Sequence, residues 1–105
     1  GRQMAMRNQP VYATSKAALV GLIRSLAIDE AQYGITANAI LPGWIATDTQ
    51  NEFERAQGMR TPLGRSGKPE EIASLVNWLA STVSGYMTGQ ALIVDGGNSI
   101  AEEFH

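Results

Sequence analysis

Two residues that can exchange a proton stand four positions apart in an alanine-rich run. In "PVYATSKAAL", residues 10 to 19, these are the phenol of Tyr12 and the ammonium of Lys16. On a helix, residues i and i+4 lie one above the other, so both polar ends can reach one site. A free phenol titrates near pH 10, too high for easy proton exchange at neutrality. A fixed positive charge beside it favours the phenolate and suits it to acid–base work. The three donors of the ammonium are enough to serve the phenol and a ligand's hydroxyls together. The pair alone has an ordinary alternative: Tyr12 packs at a helix start while Lys16 snorkels to water. A tyrosine and a lysine four apart also occur together often by chance.

A second stretch, "LPGWIATDT" at 41 to 49, adds weight to the chemical reading. Pro42 and Gly43 end an apolar run that has the character of a strand, and Trp44, Ile45, Ala46 and Thr47 follow. Open parallel sheets bind ligands beyond the carboxyl ends of their strands, where this loop falls. A glycine there lets the backbone approach a flat ligand, and exposed amides plus the Thr47 hydroxyl offer specific hydrogen bonds. As an isolated pattern, proline–glycine after a strand is simple turn chemistry.

The elements that would position these residues follow from apolar periodicity and punctuation. Residues 9 to 33 have a helical pattern, with Pro10 suited to the first turn and Gly34 to the position just past the end. The apolar residues of this helix spread over much of its girth, which implies cover on two sides, with Gly21 permitting close approach. Residues 35 to 42 make a strand, 48 to 57 a polar, weakly helical stretch ending near Gly58, and 61 to 67 a loop. A second helix starts at Pro69, its first turn carrying Glu70 and Glu71, and ends over 81 to 84. "QALIVDGG", residues 90 to 97, is a short strand stopped by two glycines, and the tail after it takes no assignment. Helix, strand, helix, strand implies a parallel sheet covered on both faces. Two strands do not make a stable open sheet alone, and the first helix has no strand before it. The fold class expected is therefore α/β: one partial domain, residues 1 to 105, forming the C-terminal portion of a doubly wound parallel sheet.

Bulk composition narrows the classes further. The chain has 105 residues, 44% hydrophobic and 17% charged, so it holds one small domain with few surface charges. A net charge of −2 gives no electrostatic reason to expect nucleic acid or an anionic membrane as partner. There are no cysteines and one histidine, His105, so neither a disulfide framework nor a thiolate or histidine metal site is expected. No apolar run has the length of a membrane span and no signal peptide is visible, which makes the cytoplasm the expected compartment. The opening "GRQMAMRNQP" reads as the interior of a longer polypeptide.

Four stretches in register resemble the C-terminal part of a short-chain dehydrogenase/reductase: "YATSKAALVGLIRSLAIDEAQYGI", "NAILPGWIATD", "PLGRSGKPEEIASLVNWLAS" and "GYMTGQALIVDGG". They span nearly all of residues 11 to 97 and resemble most the subgroup that includes 3-oxoacyl-carrier-protein reductases and glucose and gluconate dehydrogenases. The resemblance implies an NAD- or NADP-dependent oxidoreductase interconverting a carbonyl and an alcohol on a small molecule. It makes Tyr12 the general acid in reduction and the base in reverse. Lys16 then binds the nicotinamide ribose and lowers the phenol pKa. Pro42, Gly43 and Ile45 line the nicotinamide, with the Ile45 backbone and the Thr47 side chain near its carboxamide. A homodimer or homotetramer is implied, the long first helix pairing with its copy. Ser15 fits the family's serine–lysine pairing and equally a helix-packing serine. Asn38 is read as structural, bonding backbone. Met6 and Trp44 flank the site and are as readily ordinary packing. Asp95, Gly96 and Gly97 match the family's terminal strand and turn, an architectural feature, while Glu70 and Glu71 are helix-start charges.

The family's glycine-rich phosphate loop, adenosine-selecting residue, asparagine–alanine–glycine stretch and active-site serine all precede the tyrosine, and none is in this sequence. The resemblance thus implies that the 105-residue piece alone neither holds a dinucleotide firmly nor turns over. The rival reading is a non-catalytic remnant kept as a dimerisation or interaction module. Neither substrate, nor NAD against NADP, nor reaction direction is legible.

Overall fold

The computed structural model describes the backbone from Arg2 to Glu103 and the side chains from Ala13 to Ala101. Among the described residues, four α-helices and two strands occur in the order α1 (Arg2–Ala31), β1 (Ala39–Pro42), α2 (Glu52–Met59), α3 (Pro69–Leu79), β2 (Ala91–Val94) and α4 (Asn98–Glu103). The chain divides into two compact units. One runs to Ala39 and adds Met87–Ala91; the other comprises Ile40–Tyr86 with the segment from Leu92 onward.

The first unit is built on α1. This helix begins well before residue 9, so Pro10 lies inside it and not in its first turn. An internal proline removes one N–H···O=C bond to the carbonyl four residues back. The good helix formers on either side, methionine, alanine and arginine before it and alanine and lysine after, carry the helix through. Its end falls where glycine was expected. Gly34 takes φ 72°, its N–H donates to the Ala31 carbonyl at 3.0 Å, and the Ile35 N–H reaches the Glu30 carbonyl at 3.3 Å. This is a Schellman stop, and the left-handed backbone it needs is open to glycine at no steric cost.

The expected strand over 35 to 42 is shorter, because its first half pairs through side chains. The Ala37 N–H donates to Thr88 Oγ1 at 3.0 Å. Asn38 bridges two backbone groups, Nδ2 donating to the Met87 carbonyl at 3.3 Å and Oδ1 accepting from the Gln90 N–H at 3.1 Å. Asn38 is thus a structural residue, as its sequence context suggests. Ala27, at 4% exposure, is the one buried hydrophobic residue among those described, and a Cβ on Gly89 would touch it at 3.3 Å. Leu22 and Ile28 on the same helix stay 55% and 77% exposed, and Gly21 faces open space.

β1 and β2 pair in parallel. The Ala39 N–H donates to the Gln90 carbonyl at 2.9 Å and the Gly43 N–H to the Val94 carbonyl at 3.0 Å, a constant register. In the second unit, α2 begins inside the polar 48–57 stretch and opens with a capping box. Asn51 Oδ1 accepts from the Glu54 N–H at 2.8 Å, and Glu54 reaches back to the Asn51 N–H at 3.4 Å. α3 starts at Pro69 as its sequence predicts, and a single 3₁₀ turn, Thr82–Ser84, follows it. α4 forms where no assignment was made, because Asp95 caps it: its carboxylate accepts from the Gly97 N–H at 3.0 Å and the Ser99 N–H at 2.9 Å.

Candidate active site

The two groups of candidate residues fall in different units, and each is described on its own. α1 runs unbroken through residues 12 and 16, so their backbones are one helical turn apart. Lys16 is half-buried. The side chains of Tyr12 and Met6 lie outside the described residues. Ser15 is exposed.

The second group, Pro42 to Thr47, is gathered by contacts from distant parts of the chain. Gly43 is held by its N–H bond to Val94, and its missing side chain has a definite cause. A Cβ there would lie 2.7 Å from Asp95 Cβ and 2.9 Å from Asp95 Cα. The glycine therefore makes room for Asp95, the residue after β2, so its absence of a side chain is required by packing within the chain. Packing against Asp95 is thus one reason for glycine here, and the approach of a flat ligand expected from the sequence is a separate one.

Beyond Gly43 the backbone forms a one-residue parallel bridge between Ile45 and Gly67. The Gly67 N–H donates to the Trp44 carbonyl at 2.8 Å and the Ala46 N–H to the Gly67 carbonyl at 2.8 Å. In such a bridge the N–H and C=O of Ile45 itself face the opposite edge. The Ile45 carbonyl accepts from the Thr47 N–H at 2.9 Å, so its N–H is the group presented there. Thr47, exposed, shares a hydrogen bond with the Thr49 hydroxyl at 3.2 Å. An outward amide N–H with a hydroxyl two residues on fits a ligand that offers a carboxamide, which accepts through its oxygen and donates through its nitrogen. On that test the residues present suit the nicotinamide end of a dinucleotide.

The segment is propped further along. Trp44 meets Phe53 of α2 edge to face, ring centroids 6.5 Å apart, and Gln50 Nε2 donates to Ser66 Oγ at 2.9 Å. Behind it lies a small cavity of about 80 Å³ lined by Trp44, Ile45, Arg65, Gly67, Glu71 and Asp95 among others.

Sequence reasoning passed over two residues here. Glu71 is more than a helix-start charge. It accepts from Arg65 through both oxygens, at 2.7 and 3.0 Å, and from the Lys68 N–H at 2.8 Å. The Arg65 guanidinium, then the Lys68 N–H, hold its carboxyl down to about 2. Arg65 had no role assigned; an arginine six residues before a helix-opening glutamate was the available signal. At Asp95, partial burial pushes the carboxyl up, but the donors of Ser99, Gly97 and Asn98 outweigh it and the net shift is downward. Among the described residues no cluster of histidine, cysteine or carboxylates could hold a metal, and no helix is long and apolar enough to cross a membrane.

With this geometry in place, the comparisons with known proteins define the class. The family model described as enoyl-(acyl carrier protein) reductase matches residues 1–99. L-rhamnose 1-dehydrogenase (NAD(P)(+)) of Azotobacter vinelandii is 45% identical over 95 residues, an alignment covering 85% of this chain and 37% of that protein. A 3-oxoacyl-[acyl-carrier-protein] reductase of Rickettsia bellii is 45% identical, covering 85% of this chain and 39% of the reductase. The crystal structure of an acetoin dehydrogenase from Salmonella typhimurium superposes with a TM-score of 0.74 at 41% identity, over 90% of this chain and 37% of that one. The chain belongs to the short-chain dehydrogenase/reductase family, and its helices with their two parallel strands are part of that family's Rossmann-like α/β fold. It spans well under half the length of these relatives.

Proposed function

We propose that this chain is the C-terminal part of an NAD(P)-dependent oxidoreductase that interconverts a carbonyl and an alcohol on a small molecule. The observation that carries the reading is the unbroken passage of α1 through residues 12 and 16, inside the stretch matched by the family. Tyr12 donates its phenolic proton to the carbonyl oxygen in reduction and takes it back in oxidation. Lys16, one turn on, stabilises the phenolate and donates to the hydroxyls of a ribose. The Ile45 N–H and the Thr47 hydroxyl hold a carboxamide, with Pro42 and Gly43 beside it. A bound nicotinamide supplies the hydride acceptor or donor, which the side chains themselves cannot. The relatives named for rhamnose, acetoin and 3-oxoacyl groups support this reaction class without selecting a substrate.

The phosphate-binding part of the family pattern is not in this sequence, so the 105-residue chain by itself is expected to be inactive. The exposed Leu22 and Ile28 of α1 support association of the parent protein as a homodimer or homotetramer. The test is Tyr12→Phe in the protein carrying this chain, with turnover and dinucleotide affinity measured together. Loss of turnover with affinity retained supports the proton role; near-normal turnover overturns it.

A further inference from the structure

We propose that Arg65 and Glu71 form a brace that positions the carboxamide-facing edge of residues 45 to 47, a role that rests on the functional reading above. The carboxylate of Glu71 gathers three donors from two directions: both guanidinium nitrogens of Arg65 and the backbone N–H of Lys68. Arg65 Nη1 also donates to the Ser66 carbonyl at 3.0 Å. Residues 65 to 68 are thereby folded against the start of α3, and Gly67 stands inside that fold.

Gly67 is the residue that pairs with Ile45. Its N–H and carbonyl take the Trp44 carbonyl and the Ala46 N–H, and a Cβ on it would meet Ile45 Cδ1 at 3.0 Å. The direction in which the Ile45 N–H points is therefore set by where Gly67 is held. Both members of the ion pair are about half exposed, at 48% and 44%, and an isolated pair so placed contributes little stability. A two-pronged arginine–carboxylate contact that also caps a helix fixes geometry better than it adds stability. Neither side chain touches a reacting atom; both act through Gly67. They are positioning residues.

The test has two arms. In the first, amide hydrogen exchange is followed on the protein carrying this chain with Arg65→Gln, Arg65→Lys or Glu71→Gln. Arg65→Gln is expected to speed exchange of the Ala46 and Gly67 N–H groups about tenfold, with amides inside α3 within about twofold of the parent. Arg65→Lys, which keeps the charge but not the fork, should recover less than half of the protection. Glu71→Gln keeps an acceptor for Lys68 and should fall between the two. In the second arm, the protein carrying this chain is titrated with reduced nicotinamide dinucleotide. Arg65→Gln should raise the dissociation constant about fivefold and the KM for dinucleotide with it, leaving the KM for the carbonyl substrate unchanged. Unchanged exchange at Ala46 and Gly67 with α3 intact overturns the brace. Faster exchange with unaltered dinucleotide affinity overturns its positioning role. If the unsubstituted protein bound no dinucleotide, the functional reading would fall and the brace would lose its purpose. A functional reading that survives Tyr12→Phe while exchange stays flat would condemn the brace alone.

Discussion

Residues 12 and 16 owe their spacing to α1 alone, whereas residues 42 to 47 owe theirs to Asp95, Gly67, Phe53 and Ser66. In the helix, the rise and turn of one continuous element bring two side-chain positions into register, and no distant residue is needed. In the loop, the Gly43 and Ala46 N–H groups and the Trp44 carbonyl are directed by partners remote in sequence, and removing a partner releases the group it directs. The two kinds of support should fail in two ways. Substitutions on the helix should stop chemistry and leave the fold alone; substitutions behind the loop should loosen structure first and affinity second.

The largest effect expected is that of Tyr12→Phe in the protein carrying this chain. Loss of a general acid should lower kcat by about 10²- to 10⁴-fold with dinucleotide affinity unchanged, measured by steady-state rates and a binding titration. Lys16→Ala should weaken dinucleotide binding about 10- to 100-fold as well as slowing turnover, since charge-assisted donors are lost. Unchanged affinity would remove the ribose contact. Gly43→Ala tests the other region. Its new Cβ cannot stand 2.7 Å from Asp95 Cβ, so strand ends must part. A loss of about 1–3 kcal/mol is expected in urea unfolding of the protein carrying this chain. A neutral result would mean that Asp95 moves freely and that the loop is not pinned there.

The smallest effect is on pH dependence. Glu71 is depressed from 4.5 to about 2, so the unfolded chain takes up its proton first as pH falls. The contribution of this group is fully present above the unfolded value and disappears as pH drops through the folded one. Asp95, also depressed, has the same sign. Stability should thus decline between about pH 4.5 and pH 2, and Glu71→Gln should flatten part of that decline in an acid-unfolding titration. A decline of equal depth in the variant would show that the loop's electrostatics do not matter to the fold.

Much of this was legible in the residues. The Gly34 stop, the Pro69 start and the glycine-terminated last strand are local signals, each acting through backbone geometry within a few positions. Asn38 was readable as a backbone-binding residue from the family resemblance. Less legible were the true start of α1, since a proline signals a first turn more often than an interior position, and α4, whose cap Asp95 lies in a stretch that reads as a turn.

By itself, then, the sequence determined the long first helix, the two short strands and the helix opening at Pro69, the one-turn spacing of Tyr12 and Lys16 and the class of chemistry their types allow, because these depend on periodicity and on intrinsic side-chain properties. Only the tertiary structure decided why residue 43 is glycine, which way the Ile45 N–H points and what Arg65 and Glu71 hold. Those facts arise where residues 43 and 95, 45 and 67, and 65 and 71 are brought together, and nothing in the local sequence around residues 43 or 45 specifies the partner.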